Sequence, residues 1–287
     1  MNKLIAGTVM GLSAIIVVGG HWYYQQKLDA IAEHAHSEEL LAVGYQQHEA
    51  EADASEAEPD DVHESSASEA EEADTEERDI DLDGLLPQLA DAVRNAQDNE
   101  DSLTVAVYAS ETMLNVEGEG QSWPERLDEM FSEAFADINY EIAVFSSGDY
   151  NTVELIQSND YNRVTEDEWD MVIMETMLWN DNGQVAITQS NEHLTIMRDA
   201  FASAGSDVLT LLSPPAYNTV NYPAQIQDFQ TYASEQNWQL IDHWSYWPEM
   251  TDQALLDYVG EESRYMTEEG HAVVSNELAG VLGLLEE

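Results

Sequence analysis

Cysteine is absent from the 287-residue chain. That excludes disulfides, thiolate nucleophiles and cysteine-based zinc sites. Basic residues are scarce as well: 8 Lys plus Arg stand against 59 Asp plus Glu, a formal net charge of −51. The two lysines, Lys3 and Lys27, flank an N-terminal apolar segment, and beyond them come only Arg78, Arg94, Arg126, Arg163, Arg198 and Arg264. Phosphate binding needs clustered cations, so no nucleic-acid partner is expected. The acid is spread over the folded region as well as the linker. Self-repulsion on this scale opposes a compact state unless salt screens it. The balance reads as adaptation to high salt, with an ordinary acidic extracellular protein as the alternative.

What is present first is an uncharged run, Leu4 to Gly20, followed by Trp22, Tyr23 and Tyr24. Its 17 residues lie at the short end for a membrane span, and the aromatics suit a membrane interface. Lys3 on one side and the acidic region on the other predict the N-terminus inside and the bulk of the protein outside. The alternative is a cleaved signal peptide ending near Val17-Val18-Gly19-Gly20. Without cysteine there is no lipobox. Residues 28–47 have helical spacing and suit a short stalk, in which His34 and His36 read as solvated. Residues 48–82 are Glu, Asp, Ala and Ser with almost no large apolar residue, and are expected to be a disordered, extended linker. The expected organisation is an anchor or signal segment over 1–27, stalk and acidic linker over 28–82, and one domain over 83–287.

Within that domain the pattern alternates. A helix is expected over 85–96. Strands follow at 103–108, 140–145, 170–176, 207–212 and 238–242. Helices are expected at 123–136, 150–158, 188–204, 222–236, 251–258 and 268–285. Such alternation implies βαβ units and a parallel sheet covered on both faces.

Three short pieces follow the first three strands: Ser110, Ser147-Gly148-Asp149 and Asn180-Asp181-Asn182. Strand C-termini of an open α/β sheet converge on one crevice, where ligands bind. A serine there is a nucleophile, and the N–H groups of Ser110 and Gly148 with the Asn180 amide form an oxyanion hole. The base is expected to be His271, at a helix N-terminus that disfavours its charged form, with Glu268 orienting it. His243, after the last strand, is the second candidate base. Trp179, Asp181, Tyr217 and His243 are expected along the substrate cleft. The Gly-x-Ser-x-Gly elbow of α/β-hydrolases is absent.

This order of pieces resembles the SGNH (GDSL-type) hydrolases. Ser110 stands where the family has Gly-Asp-Ser, Ser147-Gly148-Asp149 with Thr152 matches its second block, and Asn180-Asp181 matches its Gly-x-Asn-Asp without the glycine. Gly270-His271 matches the pair that opens the family's last helix. Asn180-Asp181-Asn182, Tyr222-Pro223, Asp242-His243-Trp244 and Trp247-Pro248 add a likeness to secreted Gram-positive members. The resemblance spans about 103–285. It implies a flavodoxin-like three-layer α/β/α sandwich acting as an esterase, lipase, thioesterase or carbohydrate O-deacetylase, with no metal or organic cofactor. Counting back, it places the family's Asp and His on Glu262 and Tyr265, so the usual histidine position is a tyrosine.

The function expected is a serine esterase or O-deacetylase acting on a small acyl ester or a cell-surface glycan at the outer face of a membrane. The alternative is a degenerate domain of the same fold that binds an envelope polymer or protein. The charge yields a direct prediction. The melting temperature of the full chain should rise steadily from low to molar NaCl, and a flat salt dependence would refute the high-salt reading.

Overall fold

In the computed structural model, the residues described are 82–99, 102–260 and 265–285. The expected anchor, stalk and most of the linker lie outside them, as does Glu262. Among the described residues no helix is long and apolar enough to cross a membrane.

The chain opens with helix α1 (Pro87–Asn99), then β1 (Ser102–Ala109), the one-turn α2 (Glu111–Leu114), α3 (Trp123–Ala134) and β2 (Asn139–Ser146). Helix α4 (Thr152–Ser158) and a 3-10 segment (Asp160–Glu166) lead to β3 (Met171–Glu175). Then come α5 (Leu178–Asp181), α6 (Ile187–Ser203), β4 (Asp207–Leu211), α7 (Tyr222–Glu235) and β5 (Gln239–Ile241). Two short 3-10 turns, α8 (Leu256–Val259) and α9 (Glu268–Leu282) close the domain. Every expected strand is present, and the main helices fall within a few residues of their expected bounds. The region expected as one helix over 251–258 is instead a 3-10 turn followed by α8.

The five strands form one parallel sheet in the order β2-β1-β3-β4-β5. This is a doubly wound order whose switch point lies between β1 and β3. The side-chain period of two separates the layers. Leu103, Val105 and Val107 of β1, with Ile173 of β3, pack against Val93 of α1, Trp123 and Leu127 of α3 and Val274 of α9. Ala106 and Tyr108 of β1, with Val172 and Met174 of β3, face Leu155 of α4, Met197 and Phe201 of α6 and Phe229 of α7. Both faces of the central strands are therefore dry. This explains why β3 reads as an unbroken apolar run up to its final Glu175.

Local chemistry sets the helix starts. Helix α3 begins at Trp123-Pro124, as expected, and the Glu125 carboxylate accepts the Ser122 N–H at 2.7 Å and its hydroxyl at 2.8 Å. Helix α4 is capped by Asn151, whose side chain accepts the Glu154 N–H at 3.1 Å. The two residues between Gly148 and Asn151 complete the turn before the helix can begin.

Gly270 shows how tightly α9 docks. A Cβ there would lie 2.3 Å from the Tyr258 carbonyl oxygen and 3.2 Å from the Trp247 ring. Gly270→Ala is therefore expected to destabilise the domain by about 1–3 kcal/mol. Denaturant unfolding would measure this, and an unchanged midpoint would mean that α8 and α9 separate freely.

Candidate active site

Five strand C-termini bring Ser110, Ser147-Gly148, Glu175, Ser213 and His243 to one edge of the sheet. Ser110 leaves β1 and Glu175 ends β3, so the two face each other at the switch point, where a crevice is expected. Both are fully buried.

The centre is the Glu175 carboxylate. Its Oε2 accepts the Ser110 main-chain N–H at 2.7 Å and the Ser110 hydroxyl at 2.6 Å. Its Oε1 accepts the Ser213 hydroxyl at 2.7 Å. Ser213 Oγ in turn accepts the Leu178 N–H at 3.0 Å and lies 3.1 Å from the Thr176 hydroxyl, which accepts the Ser213 N–H at 3.0 Å. Every donor points inward, the arrangement an ionised carboxylate requires. Burial pushes Glu175 above its ordinary range; the Ser110 and Ser213 hydrogen bonds pull it back, and Asp181 raises it further.

Sequence reasoning missed Glu175 and Ser213. The available signal was the acid closing Met171-Val172-Ile173-Met174-Glu175, since a charge at the end of a doubly buried strand needs partners. Met177, just beyond it, has φ 53° and is buried. A bulky residue in the left-handed region is strained, and such strain collects at functional sites.

The second block lies beside the first. The Gly148 carbonyl accepts the Glu111 N–H at 3.1 Å, and Ser147 N–H donates to the Ala109 carbonyl at 2.8 Å. Gly148 has φ 62°, which glycine adopts without strain. Its N–H, an expected oxyanion donor, donates to Ser146 Oγ at 3.1 Å. The Asn180 amide, expected as the third donor, donates to the Tyr150 carbonyl at 3.0 Å, tying the third block to the second. The Ser110 N–H is engaged by Glu175. All three expected donors thus have protein partners in this state.

The two candidate bases have other positions than expected. His271 Nδ1 accepts the Trp123 N–H at 3.1 Å, capping an open amide of α3, and Nε2 donates to the Asn115 carbonyl at 3.1 Å. His243 Nε2 donates to the Leu212 carbonyl at 2.8 Å, and Nδ1 accepts the Trp247 indole N–H at 2.7 Å. Both rings are buried, which lowers each pKa to about 4. Neither ring is the partner of the Ser110 hydroxyl. Glu268 does not orient His271 either; its carboxylate pairs with Arg126 at 2.7 Å.

Of the expected cleft residues, Trp179 lines a small pocket, together with Thr112, Pro214, Pro215, Ala216, Val259, Tyr265 and Met266. Tyr265, the residue counted onto the family's histidine position, thus faces the same edge. Asp181 is 2% exposed and is structural: its oxygens accept the Thr152 N–H and hydroxyl, both at 2.8 Å. Tyr217 packs against the apolar core. Trp179, Tyr222 and Trp244 form an aromatic row with centroids 5.6 and 5.7 Å apart. Among the described residues no group of three or more His, Asp or Glu is placed to hold a metal ion.

The fold has clear counterparts among solved hydrolases. An acetylxylan esterase from Geobacillus stearothermophilus, in a catalytic variant, superposes with a TM-score of 0.53 at 7% identity over 64% of this chain and 97% of its own. An α/β hydrolase from the Lake Arreo metagenome gives 0.51 at 13% identity, over 64% and 97%. TesA gives 0.50 at 15% identity, over 63% and 99%. No protein-family model matches the chain, and no curated sequence does. The chain shares the α/β sandwich fold of these proteins, the fold that the sequence resemblance implies.

His271 acts as a joint between α9, α3 and the end of α2, and this yields a pH-dependent prediction. His271→Ala strands the Trp123 amide and the Asn115 carbonyl and should cost about 2–4 kcal/mol at pH 7. The folded-state pKa lies below the unfolded value, so the ring's contribution is complete above about 6.5 and fades as pH falls toward about 4. The gap in unfolding free energy between wild type and variant should narrow over that window. A constant gap would show that the ring does not titrate with folding.

Proposed function

We propose that this protein is a serine-type ester hydrolase in which Ser110 attacks the acyl carbon. The observation that carries the reading is the position of Ser110: the first residue after β1, at the switch point of a doubly wound sheet, with its hydroxyl 2.6 Å from a buried carboxylate. A hydroxyl bonded to an acceptor of raised proton affinity is an activated nucleophile. The likeness of the fold to an acetylxylan esterase supports ester chemistry. Gly148, whose carbonyl accepts the N–H of Glu111 next to Ser110, and Asn180 would become oxyanion donors once their present partners are exchanged for substrate.

The substrate we favour is a small O-acyl group, acetyl above all, in line with the acetylxylan esterase whose fold is similar. Trp179 and Trp244 are only half-buried at this edge, and an indole face suits the apolar face of a sugar, which favours an acylated glycan. Ser110 is fully buried, so substrate must part the residues above it before attack. With Leu4–Gly20 as an anchor, the domain would work outside the membrane.

A second reading is a non-catalytic binding domain. It is favoured by the full engagement of both nitrogens of His271 and His243.

The deciding measurement is p-nitrophenyl acetate hydrolysis by the full chain in molar salt, beside Ser110→Ala. The expected result is hydrolysis by wild type and a loss of at least about 1000-fold in the variant. A folded wild type with no Ser110-dependent turnover, on this or on acetylated oligosaccharides, would establish the binding reading.

A further inference from the structure

The proton accepted from Ser110 needs a destination, and one group is in reach. The Ser110 hydroxyl donates to Glu175 Oε2 at 2.6 Å, within the range for direct proton transfer. The other described candidates are engaged. His271 and His243 each spend both nitrogens on protein partners, and His193 Nδ1 lies 3.0 Å from the Thr152 hydroxyl. Glu175 is itself held from behind, because Ser213 donates to its second oxygen while bound by the Leu178 amide.

We propose that Glu175 is the general base for Ser110, so that the nucleophile works as a serine–glutamate pair, with Ser213 as the positioning residue. This rests on the hydrolase reading above and replaces the expected histidine.

The steps balance with ester and water alone. Ser110 Oγ bonds to the acyl carbon as its proton passes to Glu175 Oε2. The carbon–oxygen bond to the alcohol then breaks, and the departing oxygen takes that proton. In the second half, water oxygen bonds to the acyl carbon and gives a proton to Glu175. The bond to Ser110 Oγ breaks, Ser110 recovers the proton, and the acid leaves.

The surroundings favour such a base. Burial and the Asp181 charge raise the proton affinity of Glu175 above that of a solvated carboxylate. A base nearer the working pH accepts a proton more readily. The Ser110 and Ser213 hydrogen bonds favour its ionised form and work against that rise.

The test uses the full chain in molar salt, with p-nitrophenyl acetate as probe and kcat and KM measured across pH. Glu175→Gln keeps the shape and should lower kcat about 100- to 10,000-fold with KM little changed. Ser213→Ala removes a donor to the ionised form and should move the acid limb of the wild-type profile upward by roughly one pH unit. That limb should barely move on warming, as for a carboxyl group and unlike an imidazole. A folded Glu175→Gln retaining more than about a tenth of wild-type kcat would overturn the pair while leaving the Ser110 hydrolase intact. An imidazole-like temperature shift of the limb, or an unmoved limb in Ser213→Ala, would overturn it too, and both can be read even if Glu175→Gln fails to fold. Absence of any Ser110-dependent turnover would sink the hydrolase reading and the pair together.

Discussion

A carboxylate with no exposure to solvent sits where three central strands end, and the candidate site is arranged around it. Burying an ion is costly unless its lone pairs are met by donors. Glu175 meets this requirement with the amide and hydroxyl of Ser110 after β1 and the hydroxyl of Ser213 after β4. The same bonds fix the positions of three chain segments that have no direct covalent reason to meet. Thr176 and the Leu178 amide extend the network through Ser213, so the turn leaving β3, including the left-handed Met177, is held on both sides.

The histidines show how the same residue type serves a different purpose. His271 and His243 are joints: each imidazole accepts one N–H and donates one of its own to a carbonyl. His271 links α9 to the end of α2 and the start of α3, far earlier in the chain, and His243 fixes the loop after β5. Burial keeps both neutral at pH 7, which these exchanges require. Asp181 works likewise, pinning the start of α4 through Thr152. The motif residues that suggested a reaction therefore also provide the means by which the loops are locked.

The strands were legible because their physics is local. Residues 103–108, apart from Thr104, and 171–174 are apolar since both sheet faces are covered, and the intervening segments carry the 3.6 period. Ser110, Gly148 and Asn180 were legible as a set because strand C-termini in such a sheet share an edge. Glu175 was not. At the end of a strand an acid usually faces solvent, and nothing in its neighbours showed that Ser110 and Ser213 would fold over it. His271 was placed at the right helix end, yet its partners, Trp123 and Asn115, lie about 150 positions away, beyond the reach of any local pattern.

The amino-acid sequence by itself determined the alternation of strands and helices, the parallel sheet and the edge on which the polar residues gather. These follow from hydrophobic periodicity and from the short range of turn chemistry. Only the tertiary structure decided which acceptor receives the Ser110 hydroxyl and which nitrogens of the histidines are already engaged. Hydrogen bonds act over about 3 Å, and residues 65 positions apart, such as Ser110 and Glu175, come that close only when the whole sheet has formed.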